Sequence, residues 1–217
     1  MPVLLYDALF EYSGRYKTMK HIITLLVTLF FINGVTFASD KPQVLMETSM
    51  GNVTLELYPE KAPISVENFL GYVNSGSYEG TIFHRVMKKF MNQGGGFTAD
   101  FTKKGTLSPI QNEADNGLKN EIGTIAMART NAPHSATNQF FINTADNAFL
   151  NHSSKTSRGW GYAVFGKVIK GMDVMKQIEN VSTHTTARGM QNVPVETILI
   201  KKMSVIESKV KAAPSTK

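Results

Sequence analysis

The chain has 217 residues, 42% hydrophobic and 18% charged, a globular composition that is neither disordered nor collagen-like. It contains no cysteine, which excludes a disulfide scaffold, a thiol nucleophile, an iron–sulfur cluster and any cysteine-ligated zinc site. The net charge of +6 is spread along the chain with no basic run interleaved with aromatics, so nucleic acid is not an expected partner.

Residues 1–38 read as an upstream extension followed by a secretory signal. Met19-Lys20-His21 gives a basic start, residues 22–32 an apolar core, and Thr36-Phe37-Ala38 the small residues before a cut. The apolar stretch is shorter than the ~20 residues needed to span a bilayer, and Asn33-Gly34 interrupts it, so no stable membrane anchor is expected. Asp7 and Glu11 lie upstream, where signal peptides avoid acids, and the natural start is placed at Met19. The mature protein then begins near Ser39 and is exported, to a periplasm or beyond the cell. Residues 39–207 form one domain, and the lysine-bearing tail 208–217 is expected to be flexible.

From Val44 the apolar residues recur with period two. Val53, Leu55 and Leu57 alternate with polar neighbours, and Met50-Gly51-Asn52 is a turn joining this strand to 44–48. Ser65 is placed as the cap of a helix over 66–73, whose apolar side is Val66, Phe69, Leu70 and Val73, with Gly76 as its stop. A second helix is expected over 172–178 after Gly171. Between them lie short strand-like runs at 81–86, 90–93, 123–128, 139–143 and 163–168, with a last one at 195–205. Many short strands and two helices predict a closed barrel or a sandwich.

Two apparent nucleotide motifs fail. The run from Gly161 to Lys167 has P-loop spacing, but Val168 stands where a hydroxyl must reach magnesium. Gly94-Gly95-Gly96-Phe97-Thr98-Ala99 matches a dinucleotide fingerprint, but Gly105 and Pro109 forbid the helix that must follow. No two histidines stand at helical ligand spacing, so no metal site or cofactor is expected.

Five ordered blocks remain: Phe83-His84-Arg85, Phe90-Met91-Asn92-Gln93-Gly94-Gly95, Met127-Ala128-Arg129, Gln139-Phe140-Phe141-Ile142 and Val164-Phe165-Gly166-Lys167-Val168. Taken singly, the aromatics read as core and Arg85 as a surface ion pair with Glu79 or Glu121. Taken together they resemble the cyclophilin family of peptidyl-prolyl cis–trans isomerases, particularly its exported bacterial members, over about residues 44–206. The resemblance implies a mainly β fold, a closed eight-stranded antiparallel barrel capped by two α-helices. It puts catalysis on Arg85, with Gln93 and His84 beside it. It puts substrate binding on Phe90, Met91, Ala128, Arg129, Gln139, Phe141, Phe149, Leu150 and Tyr162. For His84, a ring packed into the wall is an equal alternative.

The resemblance also implies a monomer acting on proline-containing segments of exported proteins as they fold. Its alternative is a non-catalytic scaffold or holdase for such segments, against which the presence of both Arg85 and Gln93 counts. Family members often carry Trp where this chain has Phe149, and loss of the indole N–H implies weak cyclosporin binding. The Pro-Gly pair usual before Phe-Met is here Lys88-Lys89, which bears on the turn feeding the proline pocket.

The residue types suit the chemistry. Rotation about an X–Pro bond faces a barrier of roughly 18–20 kcal/mol because the C–N bond is partly double. Twisting returns a lone pair to the proline nitrogen, and a guanidinium placed there donates a hydrogen bond found mainly in the twisted state. Such a charged bond contributes on the order of 1.5–3 kcal/mol.

Overall fold

The computed structural model of the protein describes residues 41–206, and the signal segment, Met19, Ser39 and the tail lie outside them. Eight of its strands close into an antiparallel barrel. In chain order the elements are β1 (Gln43–Thr48), β2 (Gly51–Leu57), α1 (Pro63–Asn74), β3 (Thr81–Met87), β4 (Met91–Thr98), β5 (Thr124–Met127), β6 (Phe140–Asn143), β7 (Val164–Lys170), α2 (Met172–Glu179), β8 (Thr183–His184), β9 (Val193–Pro194) and β10 (Leu199–Ile206). The barrel runs β1-β10-β3-β4-β6-β5-β7-β2, and β8 and β9 form a separate ribbon. Because β1 pairs with both β2 and β10, the sheet has no open edge, which decides barrel over sandwich.

The barrel is filled. Val44, Met46, Val53, Leu55, Phe83, Ile125, Phe140, Phe165 and Ile200 are buried in one cluster that also takes Val66, Phe69 and Val73 of α1 and Val174, Met175 and Ile178 of α2. Phe69 lies 5.2–5.6 Å from the rings of Tyr78, Phe140 and Phe165. With eight strands the interior is just wide enough for the side chains that fill it here.

The start of α1 differs from the sequence expectation. The helix begins at Pro63, and Ser65 is not its cap. Proline fits the first turn because that turn needs no N–H donor there. The cap comes from Glu113, whose carboxylate accepts the N–H of Ile64 (3.0 Å), the N–H of Ser65 (2.8 Å) and the Ser65 hydroxyl (2.7 Å). One side chain thereby satisfies orphan donors and places negative charge at the positive helix end. It also pins the long connection between β4 and β5 to the barrel. The last strand begins later than the expected 195, at Leu199, because residues 195–198 form the bend that leads out of the β8–β9 ribbon, with Val195 exposed.

Loss of this carboxylate has a measurable effect. Glu113→Ala is expected to lower stability by about 1–2 kcal/mol in urea unfolding, and Glu113→Gln, which keeps one acceptor, to lose less.

Candidate active site

A strict period of two would turn Arg85 toward the core beside Phe83. The β3–β4 register prevents this. Phe83 is opposite Gly94 and Arg85 opposite Gln93, so two steps on β3 meet one on β4 and His84 is the extra residue of a bulge. Phe83 and Val86 both reach the core, and Arg85 between them lines the outer wall. The bulge re-aims one side chain without interrupting the strand.

From Arg85 a single row of paired residues crosses five strands. Arg85 is opposite Gln93, Gln93 opposite Phe141, Phe141 opposite Ala126, and Ala126 opposite Val164. The row passes from charged to polar to apolar. Met91, Ala126, Phe141, Leu150 and Val164 form a second apolar cluster separate from the barrel core, with Phe90 and Tyr162 packed at its margin. Phe140 belongs to the core and Phe141 to this outer cluster, as alternation along β6 requires.

Over this cluster opens a pocket of about 390 Å³, lined by Arg85, Phe90, Met91, Gln93, Ala128, Arg129, Phe141, Leu150 and Tyr162. It thus gathers nine of the twelve residues expected at the site. The Arg85 guanidinium donates to Gln93 Oε1 at 3.4 Å and to Met87 Sδ at 3.1 Å, and lies 6.0 Å from the Phe90 ring centre. Among the described residues no carboxylate pairs with it, so the expected rivals Glu79 and Glu121 do not hold it. Gln93 Nε2 donates to Gln139 Oε1 at 2.9 Å, which fixes the amide that faces Arg85.

Three expected residues stand apart from the pocket. Gln139 supports Gln93 from behind. Phe149 is 75% exposed and stacks on Phe90 at 5.6 Å, extending the apolar floor outward without a donor group. His84 is the third. It is only 5% exposed, packs edge-on against Phe97 at 4.8 Å, and does not line the pocket. Burial is the main cause that lowers its pKa to about 4, with the Arg85 charge acting in the same direction. It is a neutral wall residue.

The structure also explains the glycine run and the lysine turn. Gly95 has φ +86°, and a Cβ there would lie 2.8 Å from the Tyr78 ring and 2.9 Å from that of Phe140. The run is a packing device that lets β4 pass over the aromatic core. Lys89 adopts φ +57°, the left-handed geometry that glycine supplies in a Pro-Gly turn. Its N–H is held by the carboxylate of Glu179 on α2. Burial alone would push that carboxyl up, but hydrogen bonds from Lys176 and Lys89 and the Lys176 charge outweigh it and hold it below the usual range. Glu179 therefore secures the turn that presents Phe90. Sequence reasoning missed it, although a carboxylate following Met175 and Ile178 on the apolar side of α2 is its visible signal.

Fold and cleft define a class: a filled antiparallel barrel with its binding surface on the outer wall. Residues 43–205 match the family description "Cyclophilin type peptidyl-prolyl cis-trans isomerase/CLD". The chain is 60% identical over 163 residues to peptidyl-prolyl cis–trans isomerase cyp18 of Streptomyces antibioticus, covering 75% of this chain and 98% of that one. It is 51% identical over 191 residues to isomerase A of Dickeya dadantii, covering 87% and 98%. A Cryptosporidium parvum cyclophilin-type isomerase, crystallised in the presence of the dipeptide Ala-Pro, superposes with a TM-score of 0.63 at 27% identity, covering 76% and 99%. The chain belongs to the cyclophilin family and is a peptidyl-prolyl cis–trans isomerase.

The buried His84 sets a pH dependence of stability. Its folded pKa of about 4 lies below the ordinary histidine value of 6.5, so the unfolded chain binds more protons between these values. Its contribution is fully present above pH 6.5 and is lost as pH falls toward 4, by about 3 kcal/mol at most. In unfolding curves across that window, His84→Gln is expected to flatten the slope relative to the native chain.

Proposed function

We propose that the outer-wall pocket binds proline-containing segments and that Arg85 drives the rotation. The observation that carries this is Arg85 itself: a guanidinium with no carboxylate partner among the described residues, aimed by a bulge over an apolar pocket. Phe90, Met91, Phe141 and Leu150 hold the pyrrolidine ring by apolar contact. The peptide on the other side of the bond turns, and the proline nitrogen becomes pyramidal and accepts a hydrogen bond from Arg85. Gln93, fixed by Gln139, orients both the guanidinium and the peptide backbone. Because the bond to nitrogen strengthens only as resonance is lost, it lowers the barrier and not merely the ground state. Arginine suits this role, since its planar fork stays charged and keeps its direction.

The clients in this reading are segments of exported proteins, and the enzyme acts as a monomer after removal of residues 1–38. The feature that supports export is the basic, apolar and small-residue layout around residues 19–38. Phe149 keeps the ring contact but not an indole N–H, which supports weak cyclosporin binding.

Arg85→Ala, still folded by circular dichroism, is expected to lose one to two decades in kcat/KM when cis-to-trans relaxation of an Ala-Pro peptide is followed. Full activity in that variant would remove Arg85 from the mechanism. In the native host, the amino terminus of the protein recovered outside the cytoplasm is expected at Ser39.

A further inference from the structure

Beyond the proline pocket the wall continues into a wider cleft of about 1250 Å³, between the 129–135 loop and the 151–161 loop. The two spaces share Arg129 and Tyr162, and Phe149 and Arg158 border the outer one. Arg129 fastens the loops together: Nε donates to Gly161 O at 2.8 Å, one terminal nitrogen to Thr130 O at 2.9 Å and the other to Ser157 O at 3.2 Å. Its guanidinium lies 4.7 Å from the Tyr162 ring centre. Carbonyls and a ring face satisfy its donors, but none of them neutralises its charge.

The charge along this surface has one sign. The ion pairs among the described residues are Lys41–Glu56, Lys155–Asp115 and Lys176–Glu179, and none involves Arg85, Arg129 or Arg158. Among the described residues no Asp or Glu lines either the pocket or the cleft. Three unpaired guanidiniums thus follow one continuous groove whose floor is aromatic. A cleft lined by one sign of charge concentrates ligands of the other.

We propose that the outer cleft is an acid-selecting subsite, which takes an Asp or Glu side chain flanking the X–Pro bond of the bound peptide. Arg158 supplies the accessible cation and Arg129 fixes the loop that presents it. The proposal rests on the proline pocket being the catalytic one, because it treats the cleft as that pocket's continuation. The preferred clients are then acidic segments next to proline, and lysine-flanked prolines are the disfavoured ones.

The test is a set of Ala-Pro peptides carrying Glu, Gln or Lys at each position within three residues of the proline. Isomerisation is followed by NMR exchange and binding by NMR titration, with the native chain, Arg158→Glu and Arg129→Gln. At about 0.01 M salt the native chain is expected to favour Glu over Gln by roughly 1.5- to fivefold at one or more positions. That ratio should fall toward one at about 1 M salt, where screening reaches ~3 Å. Arg158→Glu should reverse the order, with Lys favoured over Glu. Equal handling of Glu and Gln at every position would overturn the proposal, as would a Glu preference that survives in Arg158→Glu. Absence of catalysis on every peptide would instead count against the isomerase reading of the pocket, and the titration would still report the charge preference.

Discussion

The site depends on register. One extra residue on β3, His84, reverses the in–out alternation before Arg85, and the pairing across β4, β6, β5 and β7 then sets Gln93, Phe141, Ala126 and Val164 in line with it. A slip of one residue anywhere in that ladder would exchange core and outer faces. Closure of the barrel guards against slippage, since every barrel strand has a partner on both sides and the interior is filled with large side chains. The catalytic surface is thus a by-product of a packed wall, and its rigidity is the rigidity of the core behind it.

Supports around the pocket come from distant parts of the chain. Glu113 ties the long β4–β5 connection to α1, Glu179 ties α2 to the turn before Phe90, and Arg129 ties the 151–161 loop to the end of β5. Each uses a charged side chain to satisfy backbone groups, which gives stronger bonds than neutral pairs would. Lys89 shows the same economy: a left-handed residue other than glycine is tolerated because a carboxylate receives its N–H.

Such a wall suits a reaction that makes and breaks no covalent bond. Isomerisation asks for a grip on the proline ring, a directed donor and room for the rest of the peptide to turn. A shallow pocket with a charged rim meets these demands, and an enclosed cavity would hinder the rotation. In the proposed scheme Arg85 serves the nitrogen, while Arg129 and Arg158 act on the flanking chain and so on the choice of client.

Much of this was legible in the residues. Period-two apolar runs located most of the strands, and helical spacing located both helices. The ordered blocks around Arg85, Gln93 and Phe141 carried the family, and nine of the twelve residues expected at the site line one pocket. The misses share a cause. Ser65 was read as a cap because local sequence offers no sight of Glu113, forty-eight positions away. The place of His84, beside Arg85 or in the wall, stayed open because adjacency in a strand does not reveal a bulge. The last strand was started too early, at 195, because only the β8–β9 pairing just before it makes Val195–Ile198 a connecting bend. Sequence by itself determined which segments alternate, where turns fall and which chemistry is present or excluded, because these follow from local periodicity and side-chain identity. Tertiary structure alone decided which face each residue occupies and which charges stay unpaired, because register, bulges and remote carboxylates exist only once strands distant in the chain have paired.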